Sequence, residues 1–265
     1  MAKRGKKKPT LFKLISETRA LAELGSFYTT YPLLKYIAKG DEHPVLVMPG
    51  LMSTDYSTGP LRRLLKAKGY KVYGWELGRN YAQMAFIPKL AAKINELYAE
   101  HGQKISLVGW SAGGLFARVL GNMMPDKIRQ VITLGSPFKN LLESTTNVDG
   151  VYEWMTGNKK GDVNEDVVRM IETLPPVPFT SIYTKSDGIV PWENCVEDEV
   201  RYSVENVEVF SSHLGLGVNP SVLYCIADRL SQKEGYWEPF ETPNIVSNLL
   251  YPQFWQSPLK SVAVL

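Results

Sequence analysis

Ser111, Asp187 and His213 are the residues in this sequence whose types and order suit nucleophilic acyl transfer. Ser111 lies in Gly109-Trp110-Ser111-Ala112-Gly113-Gly114, directly after the apolar run at 105–108. An apolar run that ends in Gly-x-Ser-x-Gly and opens a helical pattern predicts a nucleophile elbow. Such a bend is so tight that the flanking positions must nearly lack side chains. A serine at an elbow becomes reactive when an imidazole removes its proton, a carboxylate holds that imidazole, and backbone N–H groups stabilise the oxyanion. The chain has three histidines. His43 precedes the first expected strand and His101 sits in a helix-to-strand link, so elimination leaves His213 as the base. Asp187, in Ser186-Asp187-Gly188, is the expected acid, although Asp-Gly also reads as a plain turn. Its rivals Asp162, Asp166 and Asp198 do not directly follow a strand. The oxyanion donors are expected from the turn Pro49-Gly50-Leu51 and from the residue after the nucleophile, which assigns the N–H groups of Leu51 and Ala112.

These residues can meet only if a set of strands ends on one side. Hydrophobic period and breaker residues predict strands over 45–48, 71–75, 105–110, 130–135, 179–184 and 206–210. Helices are expected over 61–68, 87–98 and 112–124, and again from the Asn219-Pro220 cap to about Leu230. Alternating strands and helices predict an α/β fold: a mostly parallel sheet of about six strands with helices on both faces. In such sheets ligands bind beyond the carboxyl ends of the strands. The residues collected above all stand just after a strand.

Composition narrows the classes. The 265-residue chain is 44% hydrophobic and 22% charged, the profile of a globular protein with one large core. Its net charge is +3, but Lys3, Arg4, Lys6, Lys7 and Lys8 supply five positive charges, leaving −2 for the rest. The basic character belongs to a leader, and the body gives no reason to expect nucleic acid. The expected organisation is a basic disordered leader over 1–10, a helical segment over 11–39 and an α/β domain over 40–265. Lys13, Glu17, Arg19 and Glu23 interrupt the apolar pattern after the leader, which excludes a signal-peptide core. No run of 18 apolar residues occurs, so a cytoplasmic protein is expected. The basic leader beside residues 11–37 leaves open membrane association through contact with anionic lipid. Cys195 and Cys225 are expected as two separate buried thiols rather than a bonded pair. The sequence suggests no cofactor and no metal site.

The segments Val45-Leu46-Val47-Met48-Pro49-Gly50-Leu51, Gly109-Trp110-Ser111-Ala112-Gly113-Gly114, Thr133-Leu134-Gly135-Ser136-Pro137-Phe138, Ser186-Asp187-Gly188-Ile189-Val190-Pro191 and Ser212-His213-Leu214-Gly215 together resemble the α/β-hydrolase superfamily. More narrowly, they are similar to its bacterial lipase and esterase branch. The resemblance covers about residues 44–230. It implies Ser111 as nucleophile, Asp187 as acid, His213 as base, and Leu51 and Ala112 as the oxyanion hole. Two departures stand out. Pro49-Gly50 occupies the place of a frequent His-Gly, and a helical segment replaces the family's first two strands. Residues 138–176 fall where the family inserts a cap, with Tyr152, Trp154 and Met155 as candidate substrate contacts. Those apolar residues serve an acyl group or simply anchor the insert. The expected substrate is a small-molecule carboxylic ester with a hydrophobic acyl part. An acyltransferase or thioesterase using the same three residues is the alternative within catalysis. A non-catalytic binding protein of this fold is the alternative outside it.

Overall fold

The computed structural model describes residues 10–30, 38–141, 165–199, 201–241 and 250–252. Six strands, β1 (Pro44–Met48), β2 (Lys71–Tyr73), β3 (Ile105–Trp110), β4 (Ile128–Leu134), β5 (Phe179–Tyr183) and β6 (Val204–Glu208), form one sheet in the order β2-β1-β3-β4-β5-β6. Every pairing is parallel. The α/β class, the parallel sheet and the strand count are those expected from the sequence. No strand precedes β1 among the described residues; the chain there runs through α1 (Leu11–Ser16), a 3₁₀ turn (Glu17–Arg19) and α2 (Ala20–Thr30).

The central strands β1, β3 and β4 are buried along almost their whole length because both of their faces are covered. Leu46 and Met48 of β1, with Ile105 and Leu107 of β3, pack on one side. There they meet α4 (Phe86–His101), α5 (Ala112–Met123) and α6 (Glu165–Glu172). Val45, Val47 and Val108 point the other way, towards α3 (Gly59–Ala67) and α7 (Pro220–Ser231). The period-2 alternation of a strand thus divides one hydrophobic run between two cores. Asn219 caps α7 as expected, its side chain accepting from Ser221 N with Pro220 in the first turn.

β6 begins two residues earlier than the sequence suggests, because its register is set by β5, with Phe179 opposite Val204 and Tyr183 opposite Glu208. Phe138 and Leu141, at the start of the expected cap insert, are buried in the α4–α6 core, as are Val167, Val168 and Ile171 of α6. The cap candidates Tyr152, Trp154 and Met155 lie outside the described residues, as does Asp162. Cys195 and Cys225 are buried free thiols. Among the described residues, no helix is long and apolar enough to cross a membrane.

Candidate active site

The bend between β3 and α5 has the geometry that the glycine pattern predicts. Ser111 takes φ 52° and ψ −120°, a conformation that costs a non-glycine residue about 1–3 kcal/mol and persists only where its surroundings enforce it. Two backbone bonds do so: Ser111 N donates to Leu134 O at 2.8 Å, and Gly114 N donates to Ser111 O at 3.0 Å. A Cβ on Gly109 would lie 2.4 Å from Gly114 Cα, and one on Gly113 would lie 2.4 Å from Met48 O. Neither position has room for a side chain, so strand and helix can approach closely only with glycine there.

Asp187 follows β5 in a tight turn in which its own N–H donates to Thr184 O at 3.2 Å. One carboxylate oxygen, Oδ1, accepts from Ile189 N and Val190 N, both at 2.8 Å. That leaves Oδ2 directed at His213 Nδ1, 2.6 Å away. The Asp-Gly turn and the histidine-facing carboxylate are therefore the same feature. Because Nδ1–H donates to Asp187, the neutral imidazole carries its free lone pair on Nε2, the atom a general base uses. Asp187 and His213 are both buried. Burial pulls the His213 pKa down. The charge and hydrogen bond of Asp187 and the charge of Glu17 outweigh that effect and leave it above the ordinary histidine value.

Ser111 and His213 line one cleft of about 210 Å³, together with Gly50, Leu51, Ala112, Leu115, Pro137, Ile189, Val190 and Leu214. The structure thus brings Ser111, His213, Leu51 and Ala112 to a single wall, with Asp187 behind the imidazole. Gly50 packs against Ser111, where an added Cβ would come within 3.4 Å of Ser111 Cβ. A larger open groove of about 1000 Å³ lies along 228–241, but no histidine lines it.

A second Asp–His–Ser chain exists at the opposite end of the sheet. His43 Nε2 lies 2.8 Å from Ser106 Oγ, and His43 Nδ1 bonds Asp41. His43 and Ser106 are sealed from solvent, and burial pushes the His43 pKa down. His43 and Ser106 thus present no surface to a substrate, while the Asp41 carboxylate is partly exposed and also pairs with Arg129 at 2.9 Å. Strand direction, rather than residue type, separates the two constellations.

Three supporting features escaped the reading of the sequence. Trp110, the residue before Ser111, donates from Nε1 to His213 O at 3.1 Å. Asn80, fully buried, holds the loop after β1: its Nδ2 donates to Pro49 O and its Oδ1 accepts from Ala82 N, both at 2.8 Å. The bond to Ala82 N is local, but nothing near Asn80 in the sequence marks its hold on Pro49 O, 31 residues away. The third feature is the N-terminal segment. Glu17 is buried against the loops that carry Asp187 and His213, and Arg19, Glu23 and Lys13 bond the same loops. These charges read in the sequence only as breaks in an apolar pattern.

The sequence profile of the family described as palmitoyl protein thioesterase matches residues 44–166, a span that includes β1, its following turn and the Ser111 elbow. A metagenome-derived lipolytic enzyme from the LipS and LipT pair superposes with a TM-score of 0.55 at 15% identity, covering 73% of this chain and 93% of that one. The chain has the α/β-hydrolase fold. Two further α/β-hydrolase neighbours show the same fold. The thioesterase domain from the curacin biosynthetic pathway gives a TM-score of 0.53 at 14% identity, over 73% and 92% of the two chains. A pyrethroid hydrolase from Sphingobium faniae gives 0.53 at 17% identity, over 73% and 99%. No protein of curated function matches the sequence.

Proposed function

We propose that this α/β-hydrolase cleaves carboxylic esters with an apolar acyl group through a Ser111–His213–Asp187 triad. The observation that carries the reading is the 2.6 Å contact between His213 Nδ1 and Asp187 Oδ2 at a cleft that also holds the strained Ser111. In the proposed reaction His213 Nε2 takes the proton of Ser111 Oγ as that oxygen attacks the acyl carbonyl. The N–H groups of Leu51 and Ala112 receive the resulting oxyanion. His213 then returns the proton to the departing alcohol as the tetrahedral species collapses to an acyl-enzyme. Water, deprotonated by the same imidazole, releases the carboxylic acid and restores Ser111. The apolar wall formed by Leu51, Leu115, Ile189, Val190 and Leu214 supports an acyl chain over a sugar or a phosphate.

A thioester reading is favoured by one observation of its own, the match of residues 44–166 to the palmitoyl protein thioesterase profile. It changes only the leaving group, from an alcohol to a thiol. A panel of p-nitrophenyl esters and acyl thioesters of increasing chain length, with Ser111→Ala as control, tests both. Faster turnover of esters supports the leading reading, and faster turnover of thioesters supports the second. Equal background rates for wild type and Ser111→Ala throughout would end both.

We further propose that the N-terminal helices rest on an anionic lipid surface. Phe12, Leu14, Ile15 and Leu21 are half or more exposed on α1 and α2, beside the cleft-lining Ile189 and Leu214, which are also exposed. The five basic residues of the leader immediately precede them. Each basic residue near such a surface contributes about 1 kcal/mol, so binding should weaken with salt. Co-sedimentation with vesicles containing phosphatidylserine should fall on Phe12→Ser/Ile15→Ser substitution; unchanged binding would remove the proposal.

A further inference from the structure

We propose that Glu17 is a positioning residue of the acyl-transfer site, a carboxylate that binds the acid loop and the histidine loop to one another and fixes His213 in register with Asp187. The inference deepens the triad reading above and rests on it. Glu17 Oε1 accepts from Gly188 N at 2.8 Å and from His213 N at 3.1 Å, while Oε2 accepts from Leu214 N at 3.0 Å. One side chain, 171 residues from Gly188 along the chain, thus spans the residue after the acid and the base itself.

The contact is built rather than incidental. Glu17 is only 4% exposed, and a carboxylate taken out of water is stable only if its oxygens are hydrogen-bonded. Three N–H donors meet that demand through charge-assisted bonds, roughly twice as strong as neutral ones. Neighbouring residues hold the segment in the same place. Arg19 Nη2 donates to Ser211 O at 2.6 Å and to Ser186 Oγ at 2.6 Å, while Glu23 Oε1 accepts from Ser212 N at 2.7 Å. The catalytic loops leave room for this approach: a Cβ on Gly188 would lie 2.2 Å from Lys13 O, and one on Gly215 would lie 1.9 Å from Glu23 Oε2.

Charge gives Glu17 a role that simple anchoring does not require. His213 must become an imidazolium in each half-reaction, and the negative charge of Glu17, like that of Asp187, favours that state. Of the other charged side chains of the segment at these loops, Arg19 and Glu23 pair with one another at 3.6 Å, and Lys13 Nζ donates to Lys185 O at 2.7 Å. Removing the Glu17 charge should therefore ease deprotonation of His213 as well as loosen the loops.

The test compares Glu17→Gln, which keeps shape and loses charge, with Glu17→Asp, which keeps charge and loses reach, both in the full chain with p-nitrophenyl butyrate. For Glu17→Gln the expected result is a kcat about 10²-fold lower with KM within about twofold, the scale of loss from a small misplacement of catalytic groups. The acid limb of kcat/KM should also move to lower pH. Glu17→Asp should restore the position of that limb while kcat stays reduced. NMR titration of the His213 ring in the Ser111→Ala background should show the same downward movement for Glu17→Gln. A folded Glu17→Gln protein with the wild-type kcat, or one whose acid limb and His213 titration do not move, overturns the proposal. If Glu17→Gln fails to fold, the Asp variant decides: reduced kcat at unchanged KM supports the role, and wild-type kcat overturns it. The ring titration does not depend on turnover. A wild-type chain that cleaves no ester would count against the triad reading, while the titration would still report on the Glu17 contact.

Discussion

Trp110 and His213, 103 residues apart, are joined by a hydrogen bond of 3.1 Å from the indole Nε1 to the histidine carbonyl. The residue before Ser111 therefore anchors the backbone of His213. The Trp110 ring also fills the space beside Gly217, where an added Cβ would meet it at 3.2 Å. The elbow thus presents Ser111 and, through its neighbour, sets the loop that brings His213 to it.

Trp110→Phe keeps most of the ring and removes the indole donor. The carbonyl would keep only the longer bond from Leu216 N, at 3.4 Å, so the loss should cost about 0.5–1.5 kcal/mol. For a domain of this size that corresponds to a fall in Tm of a few degrees, at about 2–4 °C per kcal/mol. The kinetic consequence should appear in kcat more than in KM, because His213 and not the acyl wall loses its support. Melting curves and steady-state kinetics on one ester check both; unchanged kcat would show that the bond does not position the base.

The direction of the His213 shift fixes the sign of the pH dependence. The imidazole must be neutral to accept the Ser111 proton, and its pKa lies above the ordinary histidine value. Activity should therefore be lost as pH falls through that raised value, with the acid limb of kcat/KM above about pH 6.5. The same interaction favours the charged histidine in the folded chain. Its contribution to stability is full below the unfolded histidine pKa and is lost as pH rises through the folded one. Asp187→Asn removes the acceptor for Nδ1–H and should lower kcat by about 10⁴-fold, with the acid limb moving to lower pH. A pH–rate profile of the two proteins decides; an acid limb that stays in place would move the acid away from Asp187.

Asn80→Ala should free the loop after β1 without touching substrate. The change leaves the buried groups Pro49 O and Ala82 N unpaired, at about 1–3 kcal/mol in stability. If Leu51 N–H serves the oxyanion, kcat should fall towards the 10²–10³-fold loss typical of one missing donor, with KM little changed. Kinetics at a temperature where the variant stays folded checks this. A stable, fully active variant would place the oxyanion donor elsewhere.

How far the sequence discloses the molecule depends on whether the signal is local. β3 and the bend after it are written in consecutive residues, an apolar run stopped by Gly109 and Ser111, and the structure places β3 at the expected Ile105–Trp110. The residues of the proposed triad all follow strands, and parallel strands all end on one side, so the structure places these three residues near one another. Strand direction also rejects His43, whose contacts to Asp41 and Ser106 mimic a triad at the other end. β6 is less legible because its start depends on pairing with β5 and not on its own alternation of Val207 and Val209. The N-terminal segment is the least legible part. Glu17, Arg19 and Glu23 look like exposed charges in the sequence, since their partners in the loops around Asp187 and His213 lie more than 160 residues away.

Covalent labelling tests the central claim most directly. The full chain is treated with a fluorophosphonate, an analogue of the acylating substrate, and the modified peptide is located by mass spectrometry. The account predicts stoichiometric modification of Ser111 with parallel loss of esterase activity, slower labelling of Asp187→Asn, and no labelling of folded Ser111→Ala. Modification at another residue, or ester hydrolysis retained by Ser111→Ala, would contradict it.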